Sequence, residues 1–237
     1  MKLHLLFAPL LLAPLACQSD SSSSGGSSPS EASIRKESEE NWVSLFDGRT
    51  TDGWRGFKKD HVPEGWQVVD GCLTRVGQGG DIITEGQYSD FILRLEWKIA
   101  PKGNSGIFFH VTEDDSTVYR TGPEYQILDN AGHPNGGSPL TSAGANYALH
   151  APLRDVTRPT GEFNETEIEV RGGHVRHRLN GVDIVTYEMW TPEWEALVKA
   201  SKFDKMPQYG TKKKGHIALQ DHGDTVWYRN IRILPLD

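Results

Sequence analysis

The chain has 237 residues, 32 acidic against 25 basic, with a formal net charge of −7. That balance argues against nucleic acid or an anionic membrane surface as partner, since both are bound through Lys/Arg-rich faces, and it suits a neutral ligand. The two cysteines, Cys17 and Cys72, are too few for a disulfide-stapled scaffold.

Lys2 and His4 precede an apolar run, Leu5 to Leu15, that is too short to span a bilayer and ends at Ala16-Cys17. This is the plan of an export signal, with residues 1–16 as the signal peptide. A cysteine directly after the cleavage point resembles the bacterial lipoprotein signal, in which the thiol is acylated. Pro14 departs from it, standing where leucine is usual three residues before the cysteine. Residues 17–40 then form a Ser/Gly-rich tether with almost nothing apolar to bury. The expectation is a domain held on a membrane in the cell envelope, facing the periplasm or the cell surface, through lipid on Cys17. With Cys17 so used, Cys72 has no partner and reads as a small core residue.

Residues 41–237 have the length of one domain. Short segments of period two, bounded by Gly, Pro, Asn and Asp, dominate them. Trp66 to Arg75 reads as a hairpin turning at Asp70-Gly71. Phe91 to Ile99 alternates, with Leu93, Leu95 and Trp97 on one face and Arg94, Glu96 and Lys98 on the other. Strands are also expected over 106–111, 124–128, 166–170, 174–179, 184–187, 216–220 and 226–234, with a second hairpin turn at Asn180-Gly181. Only Pro192 to Lys202 reads as helix, with Thr191 as its N-cap and Pro192 at the first position. The fold class is therefore all-β, an antiparallel β-sandwich or jelly roll with one short helix.

Each strand of a sandwich turns one side-chain set to the core and the other outward. Some outward sets are unusually rich in acids, amides and imidazoles. Glu124 and Gln126 share one face of their strand, and Asp129 joins it if the strand bulges. His216, Gln220 and His222 align outward on another strand, while Glu96 and the glycine-flanked Asn104 contribute from a third region. His177 and Asn180 border the second hairpin turn. Carboxylate, amide and imidazole on one face suit recognition of sugar hydroxyls, proton transfer or a divalent metal. Glu165, Glu167 and Glu169 read as a solvated strand face. Of the seven tryptophans most are expected in the core, with one or two near the cleft to stack on sugar rings.

The motifs carry a resemblance. Leu45-Phe-Asp-Gly48, Gly103-Asn-Ser-Gly-Ile-Phe-Phe109, Glu124-Tyr-Gln126, His177-Arg-Leu-Asn-Gly181 and Gly215-His-Ile-Ala-Leu-Gln-Asp-His-Gly223 keep their order and spacing. From Trp42 to the C-terminus the chain resembles the 3-keto-disaccharide hydrolase family, built on the concanavalin A-like lectin/glucanase sandwich. One departure is Phe163, where the family usually has tryptophan. The resemblance implies cleavage of a glycoside whose C3 hydroxyl has been oxidised to a ketone, by C2 deprotonation, β-elimination and hydration. It implies a glycoside or oligosaccharide substrate, an upstream oxidoreductase that makes the ketone and, as an option, a divalent metal ion acting as Lewis acid. Glu124, Gln126 and His222 are expected at the reacting centre and as candidate metal ligands, with Glu124 or His222 as base. Asn104, His177, Asn180, Gln220 and Glu96 are expected to bind or position the substrate.

Two other functions fit parts of the pattern. Glu124-x-Gln126-x-x-Asp129 is a weak version of the paired-acid strand of a retaining glycosidase, which needs two carboxylates roughly 5–5.5 Å apart. A non-catalytic carbohydrate-binding surface module would equally suit the anchor, tether and lectin-like sandwich.

Overall fold

The computed structural model describes residues 41–236; the export segment, Cys17 and the tether lie outside the described residues. Two antiparallel sheets face one another. The larger contains, in spatial order, β11 (Val182–Glu188), β10 (His174–Leu179), β9 (Asn164–Arg171), β6 (Phe91–Ile99), β13 (Val226–Pro235), β4 (Cys72–Arg75) and β3 (Trp66–Val69), with the short β1 (Val43–Ser44) also pairing with β13. The smaller runs β2 (Trp54–Gly56), β5 (Ile82–Thr84), β12 (His216–Leu219), β7 (Asn104–Val111) and β8 (Glu124–Leu128). The structure is thus the expected all-β sandwich. β1, β2 and β5 had no sequence signature because two or three residues are too few to show a period.

Strict alternation builds the core. Along β6, Phe91, Leu93, Leu95, Trp97 and Ile99 are buried, while the residues between them are half-exposed. From the small sheet, Ile107, Phe109, Tyr125, Ile127, Ile217 and Leu219 meet this face in one continuous cluster. A polar thread crosses the apolar interior. The Trp97 indole donates to the Thr166 hydroxyl, which donates to Tyr125 Oη, both at 2.9 Å. Beside it, Tyr228 Oη and Ser105 Oγ share a bond of 2.9 Å, and Ser105 Oγ donates to the Gln220 carbonyl. The Thr166–Tyr125 and Ser105–Tyr228 bonds each tie a residue of the large sheet to one of the small sheet, and so fix which way Tyr125 and Ser105 point.

Both hairpin turns form as expected, with Asp70-Gly71 and Asn180-Gly181 at positive φ in both residues. The helix, α1 (Pro192–Lys199), is shorter than its pattern. Thr191 caps it, but Ser201 then caps a separate 3-10 turn over Lys202–Lys205 by accepting from Phe203 N. Lys202 is therefore outside the helix. Cys72 is buried, as expected, and burial raises its thiol pKa.

Three expected site residues belong to the framework. His177 is fully buried on the inner face of β10, against Tyr125 and Tyr187, with Nδ1 bonded to the Gly144 carbonyl. It faces inward because Val175, His177 and Leu179 occupy the buried phase of their strand. Asn180 stitches the hairpin end: its amide donates to Val156 O and Asn164 Oδ1, and its Oδ1 accepts from Glu165 N. Glu96 lies on the outer face of the large sheet, bonded to Arg229 and Asn230. That face is a lattice of ion pairs in which Glu167 and Glu169 meet Arg94 and Arg176.

Asn180→Ala should lower unfolding free energy by about 2–4 kcal/mol, from lost hydrogen bonds and a left-handed φ that alanine resists. Denaturant melts read this directly, and a loss below about 0.5 kcal/mol would remove Asn180 from the framework.

Candidate active site

The outer face of the small sheet carries the remaining candidates. Because Tyr125 and Ile127 point inward, Glu124 and Gln126 point outward. Ser105 turned inward likewise leaves Asn104 and Gly106 outward on β7. Register aligns Gly106 with Gln126, and Phe108 with Glu124. Gln220, just past β12, donates its N–H to Gly106 O and adds its side chain from the other side. Asn104, Gln126 and Gln220 thus surround a patch of backbone without a side chain, with Glu124 leaning over it. A Cβ built on Gly106 would overlap Glu124 Oε1, so glycine is required to seat the carboxyl there.

The amides form a short chain. Gln126 Nε2 donates to Asn104 Oδ1 at 3.2 Å, and Asn104 Nδ2 lies 3.4 Å from Nε2 of the exposed His222. The Oε1 atoms of Gln126 and Gln220 are buried and have no partner. Buried acceptors left open in this way are costly unless a ligand or water satisfies them.

Glu124 is 8 % exposed. Burial pushes its pKa up to about 8, opposed by the Lys202 ammonium and assisted by the Asp81 carboxylate; no hydrogen bond to the carboxyl takes part. Lys202 comes from the turn after α1, its Nζ 4.0 Å from the centroid of the Tyr147 ring. Burial lowers the Lys202 pKa, against the pull of Glu124. Asp81, just before β5, is held up to about 6, first by burial and then by Asp221, while the Asp221 N–H that it accepts opposes the shift.

The structure therefore gathers Glu124, Gln126, Asn104, Gln220 and His222, and leaves Glu96, His177 and Asn180 elsewhere. Asp129 does not join the cluster, since its carboxylate accepts from Lys102 N, Gly132 N and the Thr160 hydroxyl. His216 is tied to Thr84 O and Gln87. Sequence reasoning missed Asp81, Tyr147 and Lys202, which sit in loops or turns without a period to betray them. No tryptophan stands at this site. Trp54, Trp66, Trp97 and Trp194 are core residues, Trp42 packs against Arg94 and Arg232, Trp227 lies under Lys98, and Trp190 stacks on His110.

Comparison with known proteins now decides the family. Residues 41–234 match the model of the 3-keto-alpha-glucoside-1,2-lyase-like domain. The chain belongs to this family. A relative from Bacteroides thetaiotaomicron, named 3-keto-disaccharide hydrolase, is 37% identical over 228 residues, covering 83% of this chain and 79% of the relative. A crystal structure from Parabacteroides distasonis, provisionally named a glycosyl hydrolase, superposes with a TM-score of 0.79 at 33% identity, covering 85% of this chain and 97% of that one. A second protein from the same organism gives 0.66 at 29% identity, over 82% and 99%.

The Glu124 environment has a thermodynamic signature. A carboxyl with ordinary value 4.5 raised to about 8 binds its proton more tightly folded than unfolded, so stability falls as pH rises between these values. Glu124→Gln should remove that slope. Its melting temperature should match wild type near pH 4 and exceed it at pH 9, by about 2–4 °C per kcal/mol relieved. A parallel decline with pH in both proteins would refute the assignment.

Proposed function

We propose that this family member cleaves glycosides whose C3 is a ketone, acting outside the cytoplasm. The observation that carries the reading is Glu124, a desolvated carboxyl without a hydrogen bond, leaning over the bare backbone of Gly106. A base buried in this way is poorly solvated and holds its proton near neutral pH, as removal of a carbon-bound proton requires. The ketone makes that chemistry accessible, because the carbanion at C2 delocalises into it as an enolate.

In this proposal Glu124 takes the C2 proton and the C1–O bond breaks, its electron pair leaving with the departing oxygen, which is protonated. Water then adds its oxygen to C1 and a proton returns to C2, so the net change is hydrolysis. Lys202 and the Asn104 amide are the donors for the developing enolate oxygen. The open Oε1 atoms of Gln126 and Gln220 accept from sugar hydroxyls. His222, at the rim beside Asn104, completes the reacting group and is the alternative base.

A divalent cation at this centre would draw on Glu124, Gln126 Oε1 and His222. Among the described residues no three His, Cys, Asp or Glu side chains are grouped as a ligand set. The donor set, one carboxylate with amides and an imidazole, thus fits a cation poorly, and none of the steps above is routed through one. A retaining glycosidase is disfavoured, because Asp129, the second acid its strand pattern offered, is spent on loop contacts. A binding module has no use for an unpaired buried carboxyl. The reaction needs an oxidoreductase that oxidises the C3 hydroxyl upstream. Cys17 behind the Leu5–Ala16 run supports placement in the cell envelope on a lipid anchor.

The test compares a 3-keto-disaccharide with its unoxidised parent in deuterated water, with and without chelator. The expected outcome is cleavage of the keto sugar alone, deuterium at C2 and no effect of chelation; cleavage of the parent would overturn the reading. Glu124→Gln, and Gly106→Ala through its clash with the carboxyl, should each reduce turnover by about 10²–10⁴-fold.

A further inference from the structure

We propose that Asp81 is the acid that protonates the departing C1 oxygen, acting across the site from Glu124; this rests on the elimination reading above. Register places it there. Ile82 pairs with Leu219 and Ile83 with Ala218, so Asp81 falls opposite Gln220 on the outer face. Gln220 lies beside Gly106, and Gly106 faces Gln126. Asp81, Gln220, Gly106 and Gln126 therefore form one row across four strands. With neighbouring strands about 4.8 Å apart, the backbones of Asp81 and Gly106 are separated by roughly 10 Å. Glu124 leans over the Gly106 end of that interval, and the one side chain between the two acids, Gln220, presents a buried oxygen without a partner. The gap is of the size of a sugar ring.

Asp81 is also equipped to carry a proton. Its Oδ1 accepts from Asp221 N at 2.9 Å, and its other oxygen has no hydrogen bond among the described residues. Asp221 is kept anionic by Arg75 Nε at 2.7 Å and by the N–H groups of Gly79 and Gly80 at 2.9 Å. The Arg75–Asp221 pair is itself buried. Burial, with this fixed negative charge added to it, pushes the Asp81 pKa up to about 6. Glu124 faces Asp81 from β8, Tyr228 approaches both acids from the core, and His222 follows Asp221 in the loop.

The pair closes the proton balance. The productive form is a minor one near neutral pH, because Glu124 holds its proton more tightly than Asp81; in it, ionised Glu124 takes the C2 proton while protonated Asp81 gives its proton to the leaving oxygen as the C1–O bond breaks. Asp81, now ionised, takes a proton from water as that water's oxygen bonds to C1, and Glu124 returns its proton to C2. Both acids end as they began.

Leaving-group dependence tests the assignment on the intact protein. Asp81→Asn keeps the acceptor for Asp221 N but has no acidic proton. It should lose about 10²–10⁴-fold in turnover of an alkyl 3-keto-glucoside. A nitrophenyl 3-keto-glucoside, whose leaving oxygen needs no proton, should lose less than about tenfold, and deuterium should still enter C2. In wild type the rate should fall at alkaline pH as Asp81 loses its proton; in the variant, with the nitrophenyl substrate, it should rise through about pH 8 and stay level. Equal losses on both substrates would overturn the role of Asp81. Should the variant melt early, wild type alone decides: across a phenol series an assisted departure depends weakly on leaving-group acidity, and a steep dependence overturns the proposal. Absence of C2 exchange in wild type would instead overturn the elimination reading on which it rests.

Discussion

The hydrogen bond between Thr166 and Tyr125, across the interior of the sandwich, sets the phase of the strand that carries Glu124 and Gln126. A strand has a period of two, so a one-residue slip would send Glu124 and Gln126 into the core and Tyr125 into solvent. Tyr125 is fully buried and needs a partner for its hydroxyl; Thr166, itself bonded by Trp97, supplies one at a single register. Ser105 does the same for β7 through Tyr228. Two polar contacts buried between the sheets thus decide what stands on the outer face.

That face is electrostatically unlike its opposite. The outer surface of the large sheet neutralises its acids with arginines, so Glu96, Glu167 and Glu169 each have a cationic partner. Glu124 has no such partner within hydrogen-bonding reach, and Asp81 has a backbone N–H and a neighbouring anion. A folded protein tolerates such groups where the rest of the structure over-determines their position. Here the glycine under the carboxyl, the buried amides and the Arg75–Asp221 clamp do so. Unpaired buried polarity thus collects in one patch, while Glu96, Glu167 and Glu169 on the opposite face are paired, and perturbed groups of this kind cluster at functional sites.

Much of this was legible in the chain. Ten of the strands, both hairpin turns and the helix start follow from alternation, Asp-Gly and Asn-Gly pairs and the Thr191-Pro192 cap, because those signals are local. Five members of the candidate cluster are legible too, since Glu124, Gln126, Asn104, Gln220 and His222 sit at outward positions of strands or next to them. The reading failed where locality ends. His177 borders a turn and is expected to bind or position substrate, but it lies on the buried phase of β10 with Val175 and Leu179. Asn180 and Glu96 are polar and well placed in sequence, yet their partners come from Val156, Asn164, Arg229 and Asn230.

Architecture, family and strand faces could be read from the chain before folding was considered, because period, turn chemistry and motif spacing are properties of short stretches. Tertiary structure alone decided which outward faces share a site. Asp81, Gln220, Gly106 and Gln126 become neighbours only through pairing of strands far apart in the chain, and Lys202 reaches Glu124 only because Ser201 ends one helix and starts another turn. The raised proton affinity of Glu124 is likewise invisible in its motif, since desolvation belongs to the surroundings that folding assembles.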